Sequence, residues 1–189
     1  MEILLSVGLG VGLAAACGFR IFLPVLVMGL AARAGFLELT ENFEWIAGSP
    51  ALLTVAVAVT CEIVAYYIPW FDNLLDMVAM PAAVATGILV GAANIETTMP
   101  FLDWSLAAVA GGGSAAVAQM GTTLLRGAST AATAGLGNPA VSTAENGAAI
   151  GMSVLAIVVP VMALASVLIL VILVVAGVRR GFRRRRAAS

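Results

Sequence analysis

Residues 51–68, ALLTVAVAVTCEIVAYYI, form an unbroken apolar run between Ser49-Pro50 and Pro69, with one carboxylate, Glu62, well inside it. A helix rises about 1.5 Å per residue, so this run is roughly 27 Å long, close to the thickness of a bilayer's hydrocarbon core. A charge at that depth costs roughly 2.5–3.5 kcal/mol on insertion scales. Glu62 must therefore be protonated, face a polar cavity or hold a partner. The run marks a membrane protein that carries polar groups inside it.

The rest of the chain fits that class. Hydrophobic residues make up 62% and charged residues 10%, against about 25% charged in soluble domains. A β-barrel would need short segments alternating apolar and polar residues; these segments are long and apolar throughout, so the fold is an all-α polytopic bundle. Residues 1–178 suffice for a single transmembrane helical domain, followed by a basic tail at 179–189. No removable signal peptide is evident. There are two cysteines and no histidine, so the usual zinc, haem and Cys–His constellations are missing. Neither a metal nor a cofactor is expected, and an intramembrane enzyme is the weakest functional class.

Taken in order, residues 3–34 read as one apolar segment of roughly 48 Å if straight and helical, too long for one bilayer. The expected break is Gly18-Phe19-Arg20-Ile21-Phe22-Leu23-Pro24, because Pro24 lacks an amide and Gly18 is a weak helix former. Gly8, Gly12 and Ala16 recur every four residues, a face that admits a close neighbour. Residues 36–49 are polar and interfacial. Ser49 is the expected N-cap of the 51–68 helix, with Pro50 at its first position. Asp72 is read as the cap of a linking helix over 72–95, with Asp76 one turn further in. Asp103 is read as the cap of a segment over 104–134, broken near Gly121–Gly127. Residues 128–144, small and uncharged, read as a loop. Ser142 and Glu145 match a capping box before a last helix at 146–177. These are five spans.

The tail carries Arg179, Arg180, Arg183, Arg184, Arg185 and Arg186, six of the nine basic residues. The positive-inside rule places it in the cytoplasm, at anionic lipid of the plasma membrane; nucleic-acid binding is not expected, and a homo-oligomer is open. Counting back through five spans puts the N-terminus and the 128–144 loop outside, and the 36–49 and 96–103 loops in the cytoplasm. Two long broken segments each precede a proline-marked loop and a further helix. With one span between the pairs, residues 3–69 and 104–177 read as an inverted repeat, a common build of secondary transporters.

GFRIFLP (18–24), Ser49-Pro50 with Glu62, YYIPWFDNLLD (66–76), LLRG (124–127) and GLGNPAVSTAE (135–145) together resemble the family catalogued as domain of unknown function 4126. The resemblance runs over nearly the whole chain. It implies a prokaryotic multi-spanning membrane protein and no established activity. Other members often carry a more acidic stretch where this chain has Asn138-Pro139-Ala140-Val141, so a role for such acids does not carry over.

Arg20 and Glu62 lie at matched depth on neighbouring helices, which permits a salt bridge between them. Intramembrane charges are functional by default, so the candidate solute or ion pathway is Arg20, Glu62, Asp76, Asn138 and Glu145. Arg126 is read as snorkelling to the interface, and Tyr66, Tyr67 and Trp70 as an aromatic belt. The leading reading is a small transporter or channel-like protein of unknown substrate. The alternative is a membrane scaffold or assembly protein whose buried charges only join helices.

Overall fold

The computed structural model describes residues 2–187, without the side chains of residues 69–74, 76 and 182–187. Among the described residues eight α-helices follow one another: α1 (Glu2–Cys17), α2 (Leu23–Arg33), α3 (Ser49–Tyr66), α4 (Pro69–Asn94), α5 (Pro100–Leu106), α6 (Gly113–Thr133), α7 (Asn138–Val158) and α8 (Pro160–Ala187). A 3₁₀ turn at Glu41–Ala47 precedes α3, and a π-helical turn at Ala107–Gly112 joins α5 to α6. No β-strand forms among the described residues. Six of the seven prolines lie in the first turn of a helix, where the missing amide costs nothing. The seventh, Pro81, is inside α4.

Among the described residues, five helical stretches are long and apolar enough to cross a membrane: Ser49–Tyr66, Met77–Asn94, Pro100–Thr133, Asn138–Val158 and Pro160–Gly181. Leu53, Val57 and Val64 on α3 and Leu168, Ile169, Ile172 and Leu173 on α8 are exposed, as side chains facing lipid are. The number of spans agrees with the sequence reading, but their identity differs in two places.

Residues 2–33 are not one span. The chain breaks where Gly18 and Pro24 indicate, and α2 then doubles back along α1. Gly10 lies against Gly91 and Ile95, while Met28, well along α2, accepts a hydrogen bond from the neighbouring Asn94. Ile21 sits beside Glu62, and Gly29 lies against Leu52, so α2 runs antiparallel to α3. The segment is a helical hairpin whose tip, residues 18–22, points into the bundle.

The expected 146–177 helix is two helices. Helix α7 starts at Asn138 and stops at Val158, because Pro160 cannot continue its hydrogen-bond ladder. Helix α8 then climbs back: Pro160 lies against Gly8, Ala163 against Gly12, and Val174 against Gly121. The expected 128–144 loop shrinks to a turn at 134–137, with Ala134 at φ 52° and Gly135 at φ 89°. Helix α6 passes unbroken through Gly121–Gly127, and the irregularity of that span is the π turn at 107–112 instead.

These changes reverse the loops. Thr40 bonds the backbone of Ala92 and Ala93, which joins the 36–49 segment to the end of α4 near residues 96–103. Helix α8 runs parallel to α6, with Val174 against Gly121, so it ends at the opposite face, the one that carries the 134–137 turn. So the 36–49 and 96–103 loops lie opposite the Arg-rich tail, and the 134–137 turn lies on its side. The inverted relation expected between 3–69 and 104–177 does not emerge, because α1 and α6 run parallel: Val11 meets Ser114, and Gly18 meets Ala118.

Close contacts hold the hairpin. A Cβ on Gly12 would stand 2.8 Å from the Cβ atoms of Ala156 and Ala163, and one on Gly18 would stand 2.4 Å from the Ala115 carbonyl oxygen. The small-residue face of α1 is thus the seat of α7 and α8. Leu13, Cys17, Met28, Ile46, Val90, Ala93, Ala156 and Ala163 form the apolar core below the tip.

Candidate functional site

The tip is unwound backbone at membrane depth, where each N–H needs a partner. Gly18 and Phe19 donate to the carbonyls of Ala15 and Ala16, and Arg20 donates to Ala16 at 3.2 Å. The next two amides, of Ile21 and Phe22, bond no backbone carbonyl among the described residues. Glu62 takes both: Ile21 N–H donates to Oε1 at 2.7 Å and Phe22 N–H to Oε2 at 3.1 Å. One buried carboxylate therefore caps the start of α2, where the helix dipole also favours negative charge.

Glu62 is not the ion partner of Arg20. The Arg20 guanidinium pairs with Glu145, Nη1 to Oε2 at 3.2 Å. Its Nε donates to Asn146 Oδ1 at 2.5 Å and its Nη2 to the Ser142 carbonyl at 3.0 Å. Matched depth does bring the two residues close, but the unwound tip turns Arg20 toward α7 and presents the following amides to α3.

Arg126 completes the group. Its Nε donates to Glu145 Oε1 at 3.0 Å, its Nη2 pairs with Glu145 Oε2, and Nη2 also meets Ser142 Oγ at 3.1 Å. Glu145 thus bridges two guanidiniums. Both lie against the Tyr66 ring, 4.1 Å (Arg20) and 4.4 Å (Arg126) from its centroid. Tyr66, Glu62, Arg20, Arg126, Ser142 and Glu145 are all buried, and Ser142 is wholly so. At the residue that follows α3, Tyr67 and Thr143 share a 2.8 Å hydroxyl hydrogen bond at the rim.

Of the expected pathway residues, Arg20, Glu62 and Glu145 come together. Asn138 does not: it exchanges hydrogen bonds with Thr130 at the 134–137 turn, two helical turns from Glu145. The side chains of Asp76 and Asp72 lie outside the described residues; Asp72 falls inside α4 and is not its N-cap. The other expected caps also fail. Ser142 and Glu145 are interior to α7, so the capping box is instead an i, i+3 pair aimed at Arg126. Ser49 is the first residue of α3 and accepts from Arg33 Nη1 at 3.0 Å. Asp103 lies within α5, and its Oδ1 accepts the Thr97 N–H at 2.7 Å.

Sequence reasoning missed Arg126, Asn146 and Tyr66. The signal available was the trio Ser142, Glu145 and Asn146, polar residues on one face of an apolar helix. Pro139 is the better helix start, and it leaves that trio in mid-helix with no capping role. No group of three or more His, Cys, Asp or Glu side chains able to hold a metal occurs among the described residues.

No curated protein and no solved structure matches the chain. The family model described as "Domain of unknown function (DUF4126)" matches residues 7–180, a stretch that contains the tip, Glu62 and the whole Arg20–Glu145–Arg126 group. The chain, an integral membrane protein by its five apolar helices, belongs to that family.

Proposed function

We propose that this chain is a small membrane transport protein whose solute-handling site is the charged group beneath the hairpin tip. One observation carries the reading: an unwound segment at membrane depth whose free amides are held by a side-chain carboxylate next to an Arg–Glu–Arg group. Non-helical backbone is tolerated at that depth where it is buried in protein or lines a polar site. Broken helices of this kind hold the substrate sites of many transporters. A bundle held together only by packing has no need of four buried charges, each expensive to insert.

The scaffold reading keeps one observation in its favour. Arg20 finds its partners within the protein, at Glu145, Asn146 and Ser142. A closed, occluded state would look the same, with the tip as the movable part.

In the oriented membrane the Arg-rich end of α8 lies in the cytoplasm by the positive-inside rule, at anionic lipid of the plasma membrane. The acidic 36–49 and 96–103 loops then face outside. The test of function is flux into sealed vesicles that contain the protein, over a panel of anionic, cationic and neutral solutes. Saturable, protein-dependent flux that is lost in Arg126→Gln supports transport. Folded protein that passes nothing in the panel leaves the scaffold reading.

A further inference from the structure

We infer that the site takes small carboxylates together with a proton, Glu145 being the internal stand-in for the solute. This rests on the transport reading. Three N–H groups converge on the two coplanar oxygens of Glu145: Nε and Nη2 of Arg126 and Nη1 of Arg20. That fork is how arginine recognises a free carboxylate. The Tyr66 ring beside both guanidiniums gives the solute's carbon body a flat wall, and Ser142 Oγ and Asn146 Oδ1 steady the two guanidiniums.

Charge dictates the proton. When a solute carboxylate replaces Glu145 on the two arginines, Glu145 is stranded at membrane depth, where a bare carboxylate is costly. Taking one proton from water onto its carboxylate removes that cost. The net charge of the site is then the same before and after binding, whatever other groups surround it. On release the solute leaves, Glu145 gives up the proton to water and returns to the arginines. One carboxylate and one proton cross together, with no net charge moved.

The groups facing Glu145 are consistent with this exchange. Helix α7 packs on α1, α2, α3, α6 and α8. Among the described residues, the charged or titratable groups these helices bring to the site are Arg20 at the tip, Glu62 and Tyr66 on α3, and Arg126 on α6, while α1 ends at the buried Cys17 thiol. Helix α8 brings none before Arg179.

The test is full-length protein in sealed vesicles that hold a pH dye, with lactate added outside at equal pH. The expected result is luminal acidification several-fold faster than in protein-free vesicles, with labelled lactate and protons entering one for one. Glu145→Gln keeps the shape but cannot carry the proton: lactate exchange between equal pools should persist while net acidification disappears. If that variant does not fold, the wild-type ratio decides, and lactate entry without protons overturns the role of Glu145. Flux of phosphate or of a cation, with none of lactate, overturns the carboxylate assignment and leaves the transport reading standing. No flux of any solute or proton through folded protein overturns both.

Discussion

Replacing Glu145 by alanine should be the most damaging single change in the polar interior. It removes the shared acceptor of two guanidiniums that are 2% and 4% exposed. Breaking a buried ion pair from one side typically costs roughly 3–5 kcal/mol, since the other charge is left behind. Two charges are left behind here, yet Arg20 keeps Asn146 and the Ser142 carbonyl, and Arg126 keeps the Ser142 hydroxyl. The expected loss is therefore about 3–5 kcal/mol in total rather than twice that. The sharper readout is a pair of double-mutant cycles, Arg20 with Glu145 and Arg20 with Glu62, measured by reversible unfolding in detergent through tryptophan fluorescence. The Arg20–Glu145 coupling should exceed about 1 kcal/mol and be the larger of the two, contacts of this kind running at roughly 0.5–3 kcal/mol. Additive effects for Arg20 and Glu145, or a stronger coupling to Glu62, would refute the assignment of partners.

Two further outcomes follow from the same geometry. Glu62→Ala strands the Ile21 and Phe22 amides, each at a cost of roughly 1–3 kcal/mol; hydrogen exchange should then speed up at the 18–22 tip while α6 stays protected, and unchanged exchange at the tip would argue against the cap. Single cysteines replacing Gly135 and Ala187 in a Cys61→Ala background should be labelled by an impermeant thiol reagent from the same side of the membrane, and one replacing Thr98 from the other; labelling of Gly135→Cys and Thr98→Cys from one side would contradict the loop arrangement.

How far the sequence carried depends on which kind of constraint each element obeys. The class, the break at Gly18–Pro24 and the helix start at Pro50 were legible because they follow from local rules: apolar run length, and prolines that cannot sit inside a hydrogen-bond ladder. The same rule applied to Pro160 would have split the last helix and put the loops on their observed sides. It was masked by apolar neighbours, which read as one continuous span. The polar partners were less legible because depth gives height along the membrane and not direction around a helix. Arg20 and Glu62 do share a height, but the unwound tip rotates the guanidinium toward Glu145. The motif Ser142 to Glu145 was misread because a capping box is a local pattern that cannot tell a helix start from a helix interior. Only the position of Pro139 separates the two.

Transport through the charged group requires that it open to water during a working cycle. The direct measurement is modification of a thiol at that depth: Asn146→Cys in a Cys61→Ala background, in oriented vesicles, treated with a charged thiol reagent. Cys17 remains as the buried internal reference. The introduced thiol should react from the side of the Arg-rich tail far faster than the Cys61→Ala protein alone, and lactate should slow the reaction. A thiol as inert as Cys17 in folded protein, from either side, would mean a permanently dry ion group and would contradict transport through it.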